Sequence, residues 1–279
     1  MARLSLSDHR HNLGLNIVHE FCWGIGFAFN DVSTILPLFL TLLGAPLSVV
    51  GSIAGVFAIL MAVPQLISAL MARNISDIKM ATVKVHLTVL PPIFLAGFVF
   101  AFFAPTGPKA WIFYYVCFIF YSLAIGLIIP IWSNFLKHVT KRNNRGTFLG
   151  ISFIGNSMGG FIGGIMVKQL LASSIPFPSN FGWGFLILFV ALSIGILTYF
   201  GFRVKEIDLT QKQRTIQDFI HETKTILTTN RNFRRYIYSR IFLTAQFPAI
   251  GLYAVYSRNI FHFDIRSEEH TSELQSHLN

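Results

Sequence analysis

Residues 32–72 read VSTILPLFLTLLGAPLSVVGSIAGVFAILMAVPQLISALMA, a run with no Asp, Glu, Lys or Arg. A helix crossing the roughly 30 Å apolar core of a bilayer uses about 20 residues. The run is therefore long enough for parts of two crossings, and Gly44-Ala45-Pro46-Leu47-Ser48 in its middle marks the turn between them. The same pattern continues along the chain. Charged residues are also missing between Lys84 and Lys109, Lys109 and Lys137, Arg145 and Lys168, Lys168 and Arg203, and Arg240 and Arg258. The 279 residues are 53% hydrophobic and only 12% charged, where a soluble domain carries about 25% charged residues. Mean hydropathy is +0.58.

In hydrocarbon every backbone amide must be paired within its own segment, which favours helices. A barrel would need alternating strands of about ten residues, and the sequence has no such alternation. The expectation is an all-α polytopic membrane protein with spans near 17–43, 49–71, 85–103, 109–136, 147–171 and 182–202, and a seventh near 236–256. The polar N-terminus, followed by so long a first span, reads as a retained signal anchor.

The net charge of +10 does not point to nucleic acid, because the basic residues lie between spans rather than on one face. Arg3 and Arg10 precede the first span. Arg73, Lys79 and Lys84 follow the second, Lys137, Lys141, Arg142 and Arg145 the fourth, and nine more, Arg203 to Arg240, the sixth. The alternate connections hold only Lys109, Lys168 and Arg258. The positive-inside rule then puts the N-terminus in the cytoplasm of a cell whose inner membrane holds the protein. Cys22 and Cys117 should lie at different depths, so no disulfide is expected, and zinc spacings are absent.

The longest connection, 203–235, repeats Ile216, Phe219, Ile220, Thr223, Ile226 and Leu227 at helical spacing. It reads as an amphipathic helix on the membrane surface or as a solvated linker helix. From Arg266 the character changes to Arg-Ser-Glu-Glu-His-Thr-Ser-Glu-Leu-Gln-Ser-His. That run resembles the conceptual translation of a sequencing-library adapter, so the genuine sequence is expected to stop near Ile265 because the gene is truncated there.

Acids in or near the spans number two, Glu20 and Asp31. Their spacing of eleven places Glu20, Gly24, Phe27 and Asp31 on one helical face, with Glu20 about 16 Å nearer the cytoplasm. A central Asp costs roughly 2.5–3.5 kcal/mol to insert and commonly marks an ion or substrate path. Asp31 is the first candidate for a proton- or cation-binding carboxylate, and a structural carboxylate bonded to a neighbouring helix is its alternative. Asn30 adds an amide beside it, and Glu20 either joins the site or reaches the interface. Tyr114, Phe118, Tyr121 and Trp132 form a stripe on the fourth span, read as packing between helices or as a cavity wall, and Tyr121 and Trp132 are its binding candidates. Gly155, Gly159 and Gly163 recur every four residues, the spacing that lets helices approach closely, with Asn156 as a further polar candidate.

Enzyme chemistry has little support: His19-Glu20 lacks the second His a zinc protease needs at Trp23, and no Walker lysine follows a glycine loop. No catalytic residue, metal ligand or cofactor is expected.

The stretch Phe29-Asn30-Asp31-Val32-Ser33-Thr34-Ile35-Leu36-Pro37, the turn Leu43-Gly44-Ala45-Pro46, and Arg231-Asn232-Phe233-Arg234-Arg235-Tyr236 look like parts of bacterial members of the major facilitator superfamily. Six spans, a basic connection and a seventh span resemble that family's organisation, two six-helix halves around a midplane site. Asp77 and Lys79 stand where its signature loop has an acid and a base, though the expected glycine is missing. Gly150, Gly159 and Gly163 resemble its antiporter motif, except that Gly164 replaces a proline and the closing glycine pair is absent.

The resemblance implies a six-helix N-terminal bundle over 1–204, a cytoplasmic linker over 205–235 and the first span of a truncated second bundle over 236–265, a fragment not expected to transport by itself; the adapter-like run marks 266–279 as a non-native tail. It further implies a secondary active transporter that moves a small-molecule substrate by alternating access, with protons as a candidate coupling ion and the lipid bilayer as surroundings. The rival expectation is a membrane scaffold, sensor or lipid-interacting subunit that transports nothing.

Overall fold

The computed structural model describes residues 5–72, 75–204 and 216–244, together with Tyr256 and Ile260. The tail 266–279, residues 205–215 of the linker and much of the expected seventh span lie outside the described residues. Within them the chain forms helices and no strand. Five helical segments are long and apolar enough to cross a membrane: Leu47–Leu70, Ile78–Phe103, Pro108–Val139, Arg142–Leu171 and Ser179–Gly201.

The first expected span differs from the reading at 17–43. It is two helices, α1 (Leu6–Phe29) and α2 (Ile35–Leu42). Ser5 caps α1, its hydroxyl accepting from the Asp8 amide at 2.9 Å. The break falls at Asn30–Thr34 because Asp31 offers the backbone another partner. Its Oδ1 accepts from the amides of Ser33 (2.9 Å) and Thr34 (2.8 Å) and from the Thr34 hydroxyl (2.8 Å). A short carboxylate that bonds its own following amides ends one helix and starts another. Pro37 lies in the first turn of α2, where an amide N–H would have no helical partner.

After the turn at Gly44, whose φ of 79° suits a residue without Cβ, α3 runs Leu47–Met71. The third span is also divided, into α4 (Ile78–Leu87) and α5 (Leu90–Phe103), with Pro91 and Pro92 opening α5. Helix α6 (Pro108–Val139), α7 (Arg145–Leu171) and α8 (Ser179–Leu197) follow, and α8 ends in the 3-10 segment Thr198–Gly201. In the linker, α9 (Ile216–Thr229) forms where helical spacing predicted it, and α10 (Arg231–Thr244) begins before the expected seventh span.

Helix α1 packs against α7 and α8, α3 against α6, and α5 against α8 and α6. The α1–α7 seam is built from backbone. A Cβ at Gly159 would collide with the Phe21 carbonyl, one at Gly163 with Ala28 and Ile25, and one at Gly24 with the Asn156 carbonyl. The four-residue glycine repeat thus serves close packing, as its spacing predicted. Gly24 is drawn to α7, so the expected common face of Glu20, Gly24, Phe27 and Asp31 is split. Gly126 likewise brings α6 onto the α3 backbone at Met61.

Far from the N-terminus, Phe39 sits in an aromatic cluster, with ring centroids 4.8 Å from Phe181 and 5.0 Å from both Phe100 and Tyr114. Outward side chains are apolar: Ile59, Leu66, Phe103, Phe161 and Leu197 are each over 60% exposed, as surfaces bathed in lipid are. Cys22 and Cys117 are buried free thiols.

The other end is fastened by polar contacts. Arg203 pairs with Asp8 at 2.9 Å. The Asn12 amide donates to the carbonyls of Val139 (3.0 Å) and Arg203 (2.8 Å). Lys79 donates to the carbonyls of Phe200 (2.7 Å) and Phe202 (3.1 Å), a cation on the last turn of a helix. Asp77 caps α4 through the Met80 amide at 2.9 Å. These contacts gather Asp8, Lys79, Lys141 and Arg203 at one end, called here the basic end.

Two outcomes are expected. Gly159→Ala, which puts a methyl into backbone, should destabilise the detergent-solubilised protein by about 1–3 kcal/mol, whereas Gly164→Ala, with nothing within 4 Å, should leave the melting temperature unchanged. His9, ahead of the first span, accepts from the Lys141 amide at 3.3 Å. Burial, and then the Lys141 charge, hold its imidazole below the ordinary 6.5. The unfolded chain then binds that proton more readily, so stability present above about pH 6.5 is lost as the pH falls. Thermal melts across that range should show a flatter profile for His9→Gln.

Candidate functional site

Between α1, α3, α4 and α6 lies a cavity of about 410 Å³, within the roughly 300–1,000 Å³ of sites that hold small organic ligands. Its wall takes His19, Glu20, Trp23 and Phe27 from α1, and Asn30 and Asp31 from the break. Phe57 and Met61 come from α3, His86 from α4, and Tyr121, Ile125, Ile128 and Trp132 from α6. The wall is mostly aliphatic and aromatic, and two carboxylates interrupt it.

Five of the six residues singled out from the sequence line this space: Glu20, Asn30, Asp31, Tyr121 and Trp132. The sixth, Asn156, stands behind it on α7. Its amide donates to the Glu20 carbonyl at 3.1 Å and to Glu20 Oε2 at 3.3 Å, so it aims the carboxylate rather than forming the wall. Glu20 is 7% exposed, a position where a carboxylate needs such a partner. Asp31 is half-buried and its Oδ1 is taken by the turn at Ser33 and Thr34, so it combines a structural and a cavity-lining position. Asn30 Oδ1 accepts from the Tyr114 hydroxyl at 2.9 Å.

The stripe on α6 divides accordingly. Tyr114 and Phe118 pack among aromatic rings, while Tyr121 and Trp132 reach the cavity wall. The Trp132 indole N–H is buried without a hydrogen-bond partner, while the Tyr121 hydroxyl lies beside Asn30. Buried polar groups are almost always paired, so the Trp132 donor is open to an acceptor brought by a ligand.

The sequence reading passed over His19, His86 and Tyr199. His19 Nδ1 faces the Gly195 carbonyl at 3.0 Å and His86 Nδ1 the Thr82 carbonyl at 2.7 Å. Both Nε2 atoms face the Tyr199 hydroxyl, at 3.1 Å from His19 and 2.9 Å from His86. A signal was available, since His19 and His86 fall within the expected first and third spans, and an ionisable residue inside a span is a functional candidate whatever its sign. Among the described residues no cluster of three or more His, Cys, Asp or Glu could hold a metal ion.

No curated protein matches the chain. The family model described as Major Facilitator Superfamily matches residues 21–272, which takes in the cavity-lining helices from Phe21 onward and every later crossing segment. With a helical polytopic fold and a ligand-sized cavity inside the bundle, the chain belongs to the major facilitator superfamily of membrane transporters.

Proposed function

We propose that the protein is a secondary active transporter that carries a small solute with an apolar body and a cationic group through this cavity by alternating access, driven by a proton gradient. The observation that carries this reading is one cavity lined both by two carboxylates, Glu20 and Asp31, and by the apolar side chains of Phe57, Met61 and Ile125. Apolar surface favours the solute's body, and a carboxylate in a weakly solvated site favours its charge. The unpartnered donor on Trp132 suits an acceptor atom on the same solute. The basic end faces the cytoplasm of the inner membrane on this reading, as positively charged connections favour.

Asp31 can be tested apart from its turn-forming role, because an asparagine oxygen accepts the same local amides. Asp31→Asn should keep the melting temperature of the purified protein, whereas Asp31→Ala, which removes the acceptor of three hydrogen bonds, should lose about 1–3 kcal/mol. In proteoliposomes of the full-length protein under an imposed pH gradient, screened with small organic cations, Asp31→Asn should raise the concentration for half-maximal flux roughly tenfold or more, the worth of one charge-assisted hydrogen bond. Flux in Asp31→Asn equal to that of the unaltered protein would leave Asp31 with the turn alone.

A further inference from the structure

We propose that His19, Tyr199 and His86 form one binding site that takes up a single proton shared among the three rings. The inference rests on the transport reading for its purpose, since it names where the driving proton is held, but its argument and its test do not require transport.

The argument counts donors and acceptors. A backbone carbonyl only accepts. The nitrogens facing Gly195 and Thr82, His19 Nδ1 and His86 Nδ1, must therefore each carry a hydrogen to bond there. A neutral imidazole has one N–H, so in the neutral state both Nε2 atoms are bare acceptors. Both are directed at the same hydroxyl, that of Tyr199, at 3.1 and 2.9 Å. A hydroxyl has one hydrogen. With both rings neutral it satisfies one Nε2 and presents a lone pair to the other.

One added proton removes the conflict. Bound to either Nε2, it gives an N–H that donates to the Tyr199 oxygen, while the Tyr199 O–H donates to the opposite ring. The proton can change rings without leaving the cluster: the N–H hydrogen passes to the hydroxyl oxygen as the hydroxyl hydrogen passes to the other Nε2. A second proton would set two imidazolium charges on one hydroxyl and leave the Tyr199 O–H with no ring nitrogen to donate to, so the capacity is one.

The surroundings fit a charge that comes and goes. His19, His86 and Tyr199 are 3%, 1% and 0% exposed, and a charge at such depth needs a partner. Glu20, next to His19 in α1 and on the same cavity wall, is the counter-charge, with the neutral Asn156 of α7 bonded to it. The Trp23 ring lies 5.6 Å from each imidazole, within reach of a cation–π contact. Helix α8 contributes the Gly195 carbonyl, and α6 packs Phe135 on Tyr199 with ring centroids 5.3 Å apart. From α4, Lys79 donates to the carbonyls of Phe200 and Phe202. Asp31 and Tyr121 face the cavity farther along. His19 and His86 line the cavity themselves, so the proton has a path into it.

The test is nitrogen NMR of the protein labelled at histidine and held in lipid nanodiscs, titrated from about pH 8 to about pH 5, the range in which imidazoles change charge. His19→Gln and His86→Gln identify the two resonances. The expected result is that both rings show the Nδ1–H tautomer at high pH and then shift together in one step that totals one proton. In Tyr199→Phe, which keeps the ring and deletes the hydroxyl, the joint step should disappear. Uptake of one proton by each ring independently would overturn the proposal. So would rings that stay neutral throughout, or a joint step unchanged in Tyr199→Phe. A normal titration in a protein that moves no solute would count against the transport reading and leave the proton site standing.

Discussion

Backbone lies directly on backbone where α1 crosses α7, and the position of almost everything polar inside the bundle depends on that contact. Gly24, Gly155, Gly159 and Gly163 leave no room for a Cβ or allow it only in tight contact. At this separation Asn156 on α7 reaches the Glu20 carboxylate, which could otherwise turn away from the cavity. With α7 behind it and α8 beside it, α1 presents His19, Glu20 and Trp23 to the cavity from a firmly backed helix. Little hydrophobic force drives helices together when lipid surrounds them, so close packing of this kind is what remains to define the fold.

The breaks at Asn30–Thr34 and at Thr88–Val89 give a second kind of definition. At the first the backbone leaves helical geometry, and at the second the helix is interrupted while Thr88 and Val89 keep helical dihedrals. The first turns Asn30 and Asp31 toward the cavity. The second comes just after His86, whose ring reaches Tyr199. Irregular backbone at membrane depth is tolerated where it borders a cavity or is enclosed by protein, and both breaks satisfy that condition through local side-chain or proline chemistry.

Much of this was legible in the residues. Charge-free intervals marked the crossings, and the glycine repeat marked the seam. Glu20, Asn30, Asp31, Tyr121 and Trp132 were marked as polar or aromatic groups out of place in lipid. The interruption of the first span was not legible, because an Asp that holds a local turn and an Asp that faces a cavity look alike in sequence, and Asp31 does both. The aromatic stripe on α6 was one feature on a helical wheel yet divides in space, since depth decides which neighbours each ring meets. The histidine pair escaped notice for another reason. His19 and His86 are joined through Tyr199, more than a hundred residues from either, and no local pattern announces a bond of that range.

Lys79 holds a further consequence. It fixes the start of α4 to the carbonyls of Phe200 and Phe202 at the end of the Ser179–Gly201 segment, while His86, seven residues on, bonds Tyr199 on the same segment. Seven residues of helix are a lever arm of about 10 Å. Pivoting on Lys79, a tilt of roughly 5° displaces the imidazole by about 1 Å along that arm, enough to carry a contact of 2.9 Å beyond hydrogen-bonding range. Geometry thus makes the ring contact a sensitive gauge of helix angle: a motion too small to disturb the packing of α4 is large enough to make or break it.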